Sequence, residues 1–355
     1  MAGSLIVIKD AIALPLTRFD PPGKAPRGSF DGGACFADGT PCQLGASRMI
    51  NHDNTLSPAA GVPPNRLEGS HLWCGLFNNA HFGHFISESL ARLWALDVIR
   101  PPASLVFFGR LPMQPLPAWA QGLLNLLAPG IPLTQLRAPL RLDRLVVPEQ
   151  ACLPSGVMRG DPLNRAFLHR RLLPDPAEID TAWGPGPRRL YVSRSGLVNE
   201  AQILGEEQIE RQMQAEGYRV IRPETLPLRN QLALYAGAER LVFAEGSALH
   251  VYALVCRPDQ HVFVIWRRRE TYGGFAAQIT SFGGPELRGT SHISAVLVPQ
   301  EAPGALARAH GIADFPALAA ELRAEGFISA PTWPALSEEE IRHLIATRHA
   351  GFILT

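Results

Sequence analysis

At 355 residues the chain is long for one hydrophobic core and comfortable for two domains of roughly 150 residues each. With 46% hydrophobic and 18% charged residues it reads as a globular protein, which excludes a disordered chain. Thirty-three basic against 32 acidic residues leave a formal net charge of +1, so the overall field gives no reason to expect nucleic acid or an anionic lipid surface as main partner, and small molecules are expected instead.

In chain order, the first candidate strand is LIVI (5–8). It lies in a start, MAGSLIVIKDAIALP, whose apolar run is too short for a signal sequence, and no later stretch approaches the roughly 20 apolar residues of a membrane span. Five scattered cysteines (Cys35, Cys42, Cys74, Cys152, Cys256) without a CxxC pair suit reduced thiols better than a disulfide framework. A cytoplasmic protein is expected from this.

The next element is the stretch NNAHFGHFISESLARLWAL (78–96), whose spacing predicts a helix over residues 84–97 with Asn78 or Asn79 as N-cap. At about 100° per residue, with His84 at zero, Glu88 falls at about 40°, His81 at about 60° and Arg92 at about 80°, opposite an apolar arc of Phe, Leu, Ile and Trp. A plain solvated face would pair Glu88 with Arg92 one turn on. Two histidines in the same stripe argue instead for a site, with His81 in the first turn, where the helix dipole disfavours its protonated form. A metal reading is also available, because His71, Cys74, His81 and His84 are zinc-type ligands, but the gap between the two pairs is short for a zinc finger and Cys74 sits in an apolar run. No metal and no cofactor are expected.

Strands LVFF (105–108) and LVV (145–147) and a helix at 118–127 complete a Pro-interrupted first half. Residues 174–187, with four prolines and two glycines, read as a linker. From Arg188 the pattern is βαβαβαβ, with strands LYVS (190–193), YRVI (218–221), LVFA (241–244) and HVFVIW (261–266), and helices at 206–216, 228–238 and from 248. The division expected is an N-terminal lobe 1–173, the linker 174–187, a Rossmann-like lobe 188–300 and a helical tail 301–355. Helices are expected in that tail at 305–310, 315–325 and 337–349, the last opened by a Ser337/Glu340 capping box. No internal repeat is visible.

A second constellation follows strand LVFA: Glu245, Gly246 and Ser247 form a small-residue turn into a helix carrying Ala248 and His250. Strand, glycine turn and helix N-terminus make an anion-binding geometry, though any αβ connection uses such residues for capping. Arg194 ends strand LYVS and so falls at the same C-terminal sheet edge, where an arginine suits a diphosphate. The RRRE run at 267–270 follows strand HVFVIW at that same edge and reads as a solvated basic segment, with a ligand site as the lesser alternative.

These segments resemble glycosyltransferase family 61, a group of inverting transferases that includes many bacterial capsule-synthesis proteins. HFISESLARL carries His84, Glu88 and Arg92 in a His-aromatic-x-x-acid-x-x-x-Arg-Leu pattern, and YVSR carries Arg194. The resemblance spans about residues 70–270. It departs at EGSALH, where Glu245 stands in place of a family histidine, and accepting hydrogen bonds from ribose or sugar hydroxyls is the role then expected of it.

The resemblance implies an α/β, GT-B-like fold of two Rossmann-like lobes. His84 and Glu88 are implied as catalytic residues, His81 and Arg92 on the acceptor side, and Arg194, Glu245, Gly246, Ser247, Ala248 and His250 around a nucleotide-sugar donor. A glycan or lipid-linked acceptor is expected, with peripheral association with a membrane polysaccharide assembly complex at the inner membrane. A nucleotide-sugar epimerase and a catalytically silent binding subunit are the alternatives, since fold alone does not fix chemistry.

Overall fold

The computed structural model of the chain describes residues 3–21, 27–78, 81–109, 115–197, 200–269, 273–301, 309–348 and 351–354. The chain divides into two compact units, Met1–Leu173 and Pro174–Thr355, each an α/β assembly.

The first unit is built on a six-stranded sheet. Its strands are β1 (Leu5–Leu14), β2 (Gly33–Cys35), β3 (Arg66–Leu76), β4 (Ser104–Phe108), β5 (Leu133–Leu136) and β6 (Leu140–Pro148), in the order β2-β1-β6-β3-β4-β5. Strands β6, β3, β4 and β5 are parallel, with Trp73 opposite Val106 and Leu105 opposite Leu133. The LIVI strand is different: β1 runs antiparallel to both neighbours, Val7 facing Val146, so this lobe is a mixed sheet rather than an all-parallel Rossmann-like one. Strand β4 is buried along its whole length, as expected of a strand covered on both faces. Its Phe108 stacks on Trp73 at 5.5 Å, and the Trp73 indole N–H donates to the Gly45 carbonyl at 2.9 Å, so the large ring is packed without an orphaned donor. Helices α1 (Ala118–Leu127) and α2 (Pro162–Leu172) complete the unit.

The expected helix over 84–97 is not one helix. A single α-turn, Phe82–His84, passes into a π-turn, Phe85–Ser89, and after a break a 3₁₀ segment covers Leu93–Asp97. The Ser87 hydroxyl donates to the Gly83 carbonyl at 2.6 Å, a back-bond that competes with the regular helical ladder. Every residue from 85 to 95 is buried, so the segment has no solvated face. A 100° wheel therefore misplaces its side chains.

The second unit begins with a helix where a linker was expected. Helix α3 (Pro176–Trp183) has Pro176 in its first turn, Asp175 as N-cap accepting from the Ala177 N–H at 2.8 Å, and Gly184 at its C-terminal end with φ 65°. Proline and glycine mark its two ends instead of breaking it, the usual asymmetry of helix termini. Ile179 and Trp183 press on Gly237, where any Cβ would collide with them.

A five-stranded parallel sheet follows. Its elements are β7 (Arg189–Val192), α4 (Glu206–Ala215), β8 (Arg219–Ile221), α5 (Leu228–Gly237), β9 (Arg240–Ala244), α6 (Ala248–Ala253), β10 (His261–Ile265), α7 (Gly273–Ser281) and β11 (Leu287–Thr290). The order is β8-β7-β9-β10-β11, so the winding reverses between β7 and β9. Open α/β sheets bind ligands at that reversal, outside the carboxyl ends of the strands.

The tail is only partly helical. His310–Ala313 and Phe352–Leu354 are strands of a four-stranded sheet with Ile203–Leu204 and Ile293–Pro299. Of the helix expected at 305–310, residues 305–308 lie outside those described, and His310 opens the strand. Phe315–Ala324 is helical. The Ser337 capping box forms on Glu338–Arg348: the Ser337 N–H donates to Glu340 Oε2 at 2.7 Å and the Glu340 N–H to Ser337 Oγ at 3.2 Å.

Candidate active site

The π-turn in the first unit turns Glu88 inward. Its buried carboxylate accepts three hydrogen bonds: from the Ile50 N–H at 3.0 Å and His84 Nδ1 at 2.8 Å on Oε1, and from Asn78 Nδ2 at 3.1 Å on Oε2. A buried charge with this many donors is held, not merely tolerated. Asn78 thus secures Glu88 rather than capping a helix, and Asn79 lies outside the described residues.

The Ile50 N–H is itself fixed. Arg27 donates to the carbonyls of Met49, Ile50 and His52 at 2.8–2.9 Å, and Gln150 bridges both backbone groups of Arg48 and the Glu88 carbonyl. Gly156, at φ 88°, lies back to back with this loop: a Cβ there would stand 2.5 Å from the Met49 carbonyl carbon. Only glycine tolerates both that φ and that approach.

Because a carboxylate can only accept, the His84–Glu88 bond puts the imidazole proton on Nδ1 and leaves Nε2 with the lone pair. Burial pulls the His84 pKa down, but the hydrogen bond and the charge of Glu88 outweigh it and hold the imidazole above its ordinary 6.5. The His84 side chain remains 29% exposed. A ring oriented by a buried carboxylate, with its second nitrogen unused by that bond, is the arrangement of a general base.

His81 precedes the α-turn, exposed, its ring centroid 5.8 Å from that of His84. Arg92 is not on an acceptor-facing stripe, and it does not pair with Glu88. It is buried, and its guanidinium donates to the carbonyls of Leu44, Ala46 and Pro148, tying three chain segments together. Burial pulls its pKa down to about 10, so it stays charged at neutral pH. The zinc-type set does not assemble either. His71 uses both ring nitrogens on Ser104 and the Glu68 carbonyl, the Cys74 thiol is buried within β3, and no group of three or more potential ligands gathers among the described residues.

In the second unit, the ends of the adjacent strands β7, β9 and β10 are level, with Val192 opposite Phe243 and Ala244 opposite Ile265. The residues that follow them meet. Arg194 lies flat against Gly246, where a Cβ would overlap its guanidinium, so the glycine serves close approach of this side chain. The Arg194 backbone is clamped by α4: its N–H donates to Glu206 Oε1 at 2.8 Å, while the Ser193 and Ser195 hydroxyls donate to Glu210, itself paired with Arg222 at 2.7 Å. Burial pushes the Glu206 carboxyl up from 4.5 to about 7, against the lowering effect of the bonds it accepts from the Arg194 N–H and the Tyr191 hydroxyl.

Glu245 is buried, and its oxygens are occupied by protein donors. Arg268 ion-pairs with it, the Arg267 N–H donates to Oε2 at 3.3 Å, and the Arg267 guanidinium stands at 3.9 Å. The hydroxyl-accepting role expected of Glu245 would have to share both oxygens with these donors, and the run at 267–269 is not simply solvated. Burial pulls Arg267 down to about 10; Glu245 opposes that pull, and the charges of Arg268 and Arg194 add to it.

Helix α6, opened by Ala248, has six residues, too few for an effective dipole, and Ser247 makes no side-chain capping bond. His250 is buried, bonded through Nδ1 to Gln278 at 2.6 Å and packed on Phe275, so it belongs to the α6–α7 contact rather than to the turn. Arg194, Arg267 and Arg268 supply cationic side chains at this edge.

Sequence reasoning gives Asn78 a different role, and it misses Gln150 and the loop at Ile50, which have no local signal because they join Glu88 across 62 and 38 residues. Glu206 and Glu210 did leave one: four apart, they border the apolar face formed by Ile209 and Met213.

A search of curated proteins finds no match to the chain. The model of the family described as Glycosyltransferase 61 matches residues 82–263, half of the chain. That match encloses the His84–Glu88 pair, Arg194 and the Gly246 turn, and it shows that the chain belongs to glycosyltransferase family 61.

Proposed function

We propose that the protein is an inverting glycosyltransferase. It moves a hexosyl or pentosyl group from a nucleotide sugar to a glycan or lipid-linked acceptor, in capsular or other extracellular polysaccharide synthesis at the cytoplasmic side of the inner membrane. The observation that carries the reading is the 2.8 Å bond from His84 Nδ1 to a Glu88 carboxylate that two further donors hold in place. In this reading His84 is the base and Glu88 orients it.

The acceptor hydroxyl gives its proton to His84 Nε2 while its oxygen forms a bond to the anomeric carbon. The bond from that carbon to the diphosphate oxygen breaks on the opposite face, and its electron pair leaves with the nucleoside diphosphate. The sugar is inverted. Arg194, lying over Gly246, meets the charge that develops on the leaving group, so no metal is required for that task. A GT-B-like arrangement, with the donor on the second unit and the acceptor on the first, is part of the proposal.

Glu88→Gln tests it. A glutamine keeps its amide oxygen for the Ile50 N–H and His84 Nδ1 but removes the negative charge that stabilises the imidazolium formed as His84 takes the proton. Turnover with a matched donor and acceptor is expected to fall by about 10²- to 10⁴-fold, with donor affinity kept. Rates within twofold of wild type would remove the dyad from catalysis.

A further inference from the structure

Three guanidinium groups, Arg194, Arg267 and Arg268, gather at the carboxyl ends of β7 and β10 around one buried carboxylate, Glu245, at the winding reversal of the sheet. Charge is not balanced there. Glu200, exposed, and Glu206, largely neutral below pH 7, are the other carboxylates close by. Hydrogen bonding is not complete either. The Nε groups of Arg194 and Arg267 are buried and find no hydrogen-bond partner among the described residues, although the Arg267 side chain is only 11% exposed. Arg194 spends one nitrogen on the Ala201 carbonyl at 3.3 Å and Arg267 one on the Ala309 carbonyl at 3.0 Å. Unlike Arg92, whose Nε is also unpartnered but lies in the core, Arg194 and Arg267 stand with Arg268 at an open sheet edge, and unused donors beside surplus positive charge there suit an anion with several acceptor oxygens.

We propose that Arg267 and Arg268 complete the diphosphate site with Arg194, and that Glu245 is the internal counter-ion from which an incoming diphosphate takes Arg268. This rests on the donor-binding reading above and adds to it two binding residues and a role for Glu245. In the absence of donor, Glu245 holds Arg268 through both oxygens and keeps the cluster from repelling itself apart. A diphosphate, with more oxygens and more charge than one carboxylate, competes for the same guanidinium. Glu245 is then a positioning residue that weakens ground-state binding, and its removal has the opposite sign from removal of an arginine.

That difference in sign is the test. Inorganic pyrophosphate, which needs no knowledge of the base or the sugar, is titrated calorimetrically into the full chain at low ionic strength, with melting curves recorded for each variant. Arg268→Gln, a change at the partly exposed rim, is expected to weaken binding at least tenfold, and Arg267→Lys, which keeps the charge but loses the fork, about fivefold. Glu245→Gln is expected to tighten it about threefold or more. Loss of affinity in Glu245→Gln parallel to that in Arg268→Gln would overturn the counter-ion role. So would unchanged pyrophosphate affinity in Glu245→Gln with weakened binding of intact nucleotide sugar, the signature of a hydroxyl acceptor. If Arg194→Ala abolishes pyrophosphate binding while Arg267→Lys and Arg268→Gln leave it unchanged, the donor reading stands and this inference falls. No binding of pyrophosphate or of any nucleoside diphosphate to the wild type sinks both.

Discussion

The environments of Glu88 and Arg194 differ in how complete they are. Around Glu88 the carboxylate has its donors, the loop that supplies one of them is pinned by Arg27, and Gly156 backs that loop. Around Arg194 the backbone is as firmly held, by Glu206 and Glu210, but the side chains are left short of acceptors and carry surplus positive charge. A group that must present one proton acceptor at a fixed place benefits from a finished hydrogen-bond shell, because nothing has to rearrange during reaction. A group that must receive an anion benefits from an unfinished one. On the proposed reading, saturation is what separates a proton-transfer centre from a ligand cradle when both are rich in charged residues.

The largest expected effects cross the two regions. Arg194→Ala should weaken nucleoside diphosphate binding by about 10- to 100-fold, the worth of a charge-assisted hydrogen bond, with a small loss in melting temperature, because the free protein gives up the 3.3 Å bond to the Ala201 carbonyl and the packing on Gly246. Loss of fold without loss of specific affinity would make the Arg194 region structural and erase the contrast. A second test sharpens the Glu88 region. His84 must be neutral to act as base, and its pKa is raised above 6.5, so turnover should fall about tenfold per pH unit as pH drops below that raised value, and the profile should flatten above it. A rate independent of pH between 5 and 8 would deny His84 the proton.

A third effect is on stability. Glu206 has a folded pKa of about 7 against an ordinary 4.5, so the native protein holds a proton that the unfolded chain has lost between those values. Its contribution is complete below about pH 4.5 and is lost as pH rises through 7, a change of at most roughly 3 kcal/mol. Tm should therefore decline across that window. In Glu206→Gln, which cannot titrate, this part of the decline should disappear. An equal decline in the variant would place the pH dependence elsewhere.

How much of this could be read in advance follows from the same contrast. The second unit is made of short apolar strands and helices of ordinary period, so its parallel sheet, and with it the meeting of Arg194 and Gly246 at one edge, was legible from strand order alone. Residues 174–187 mislead because Pro176 and Gly184 read as breakers, when position at a helix end is what makes each of them favourable. The pairing of His84 with Glu88 was legible as an i, i+4 neighbourhood. Its burial was not, since a wheel assumes a regular turn and the segment is α, π and 3₁₀ in succession. Glu245 could not be assigned from the turn it sits in, because its partners come from the end of the next strand.

The place of Arg92 bears on how mutagenesis of this segment should be interpreted. His84, Glu88 and Arg92 lie within nine residues, and an alanine scan would return inactive protein at all three. On the proposed reading the loss at His84 would be chemical, and at Glu88, whose removal also strands the Ile50 N–H and the Asn78 amide, it would be both chemical and architectural. At Arg92 it would be architectural, since removing the guanidinium strands the carbonyls of Leu44, Ala46 and Pro148 in the interior, and lysine, with one nitrogen in place of a fork, could not reach all three. Soluble yield and melting, measured beside rate, separate a broken keystone from a silenced reagent.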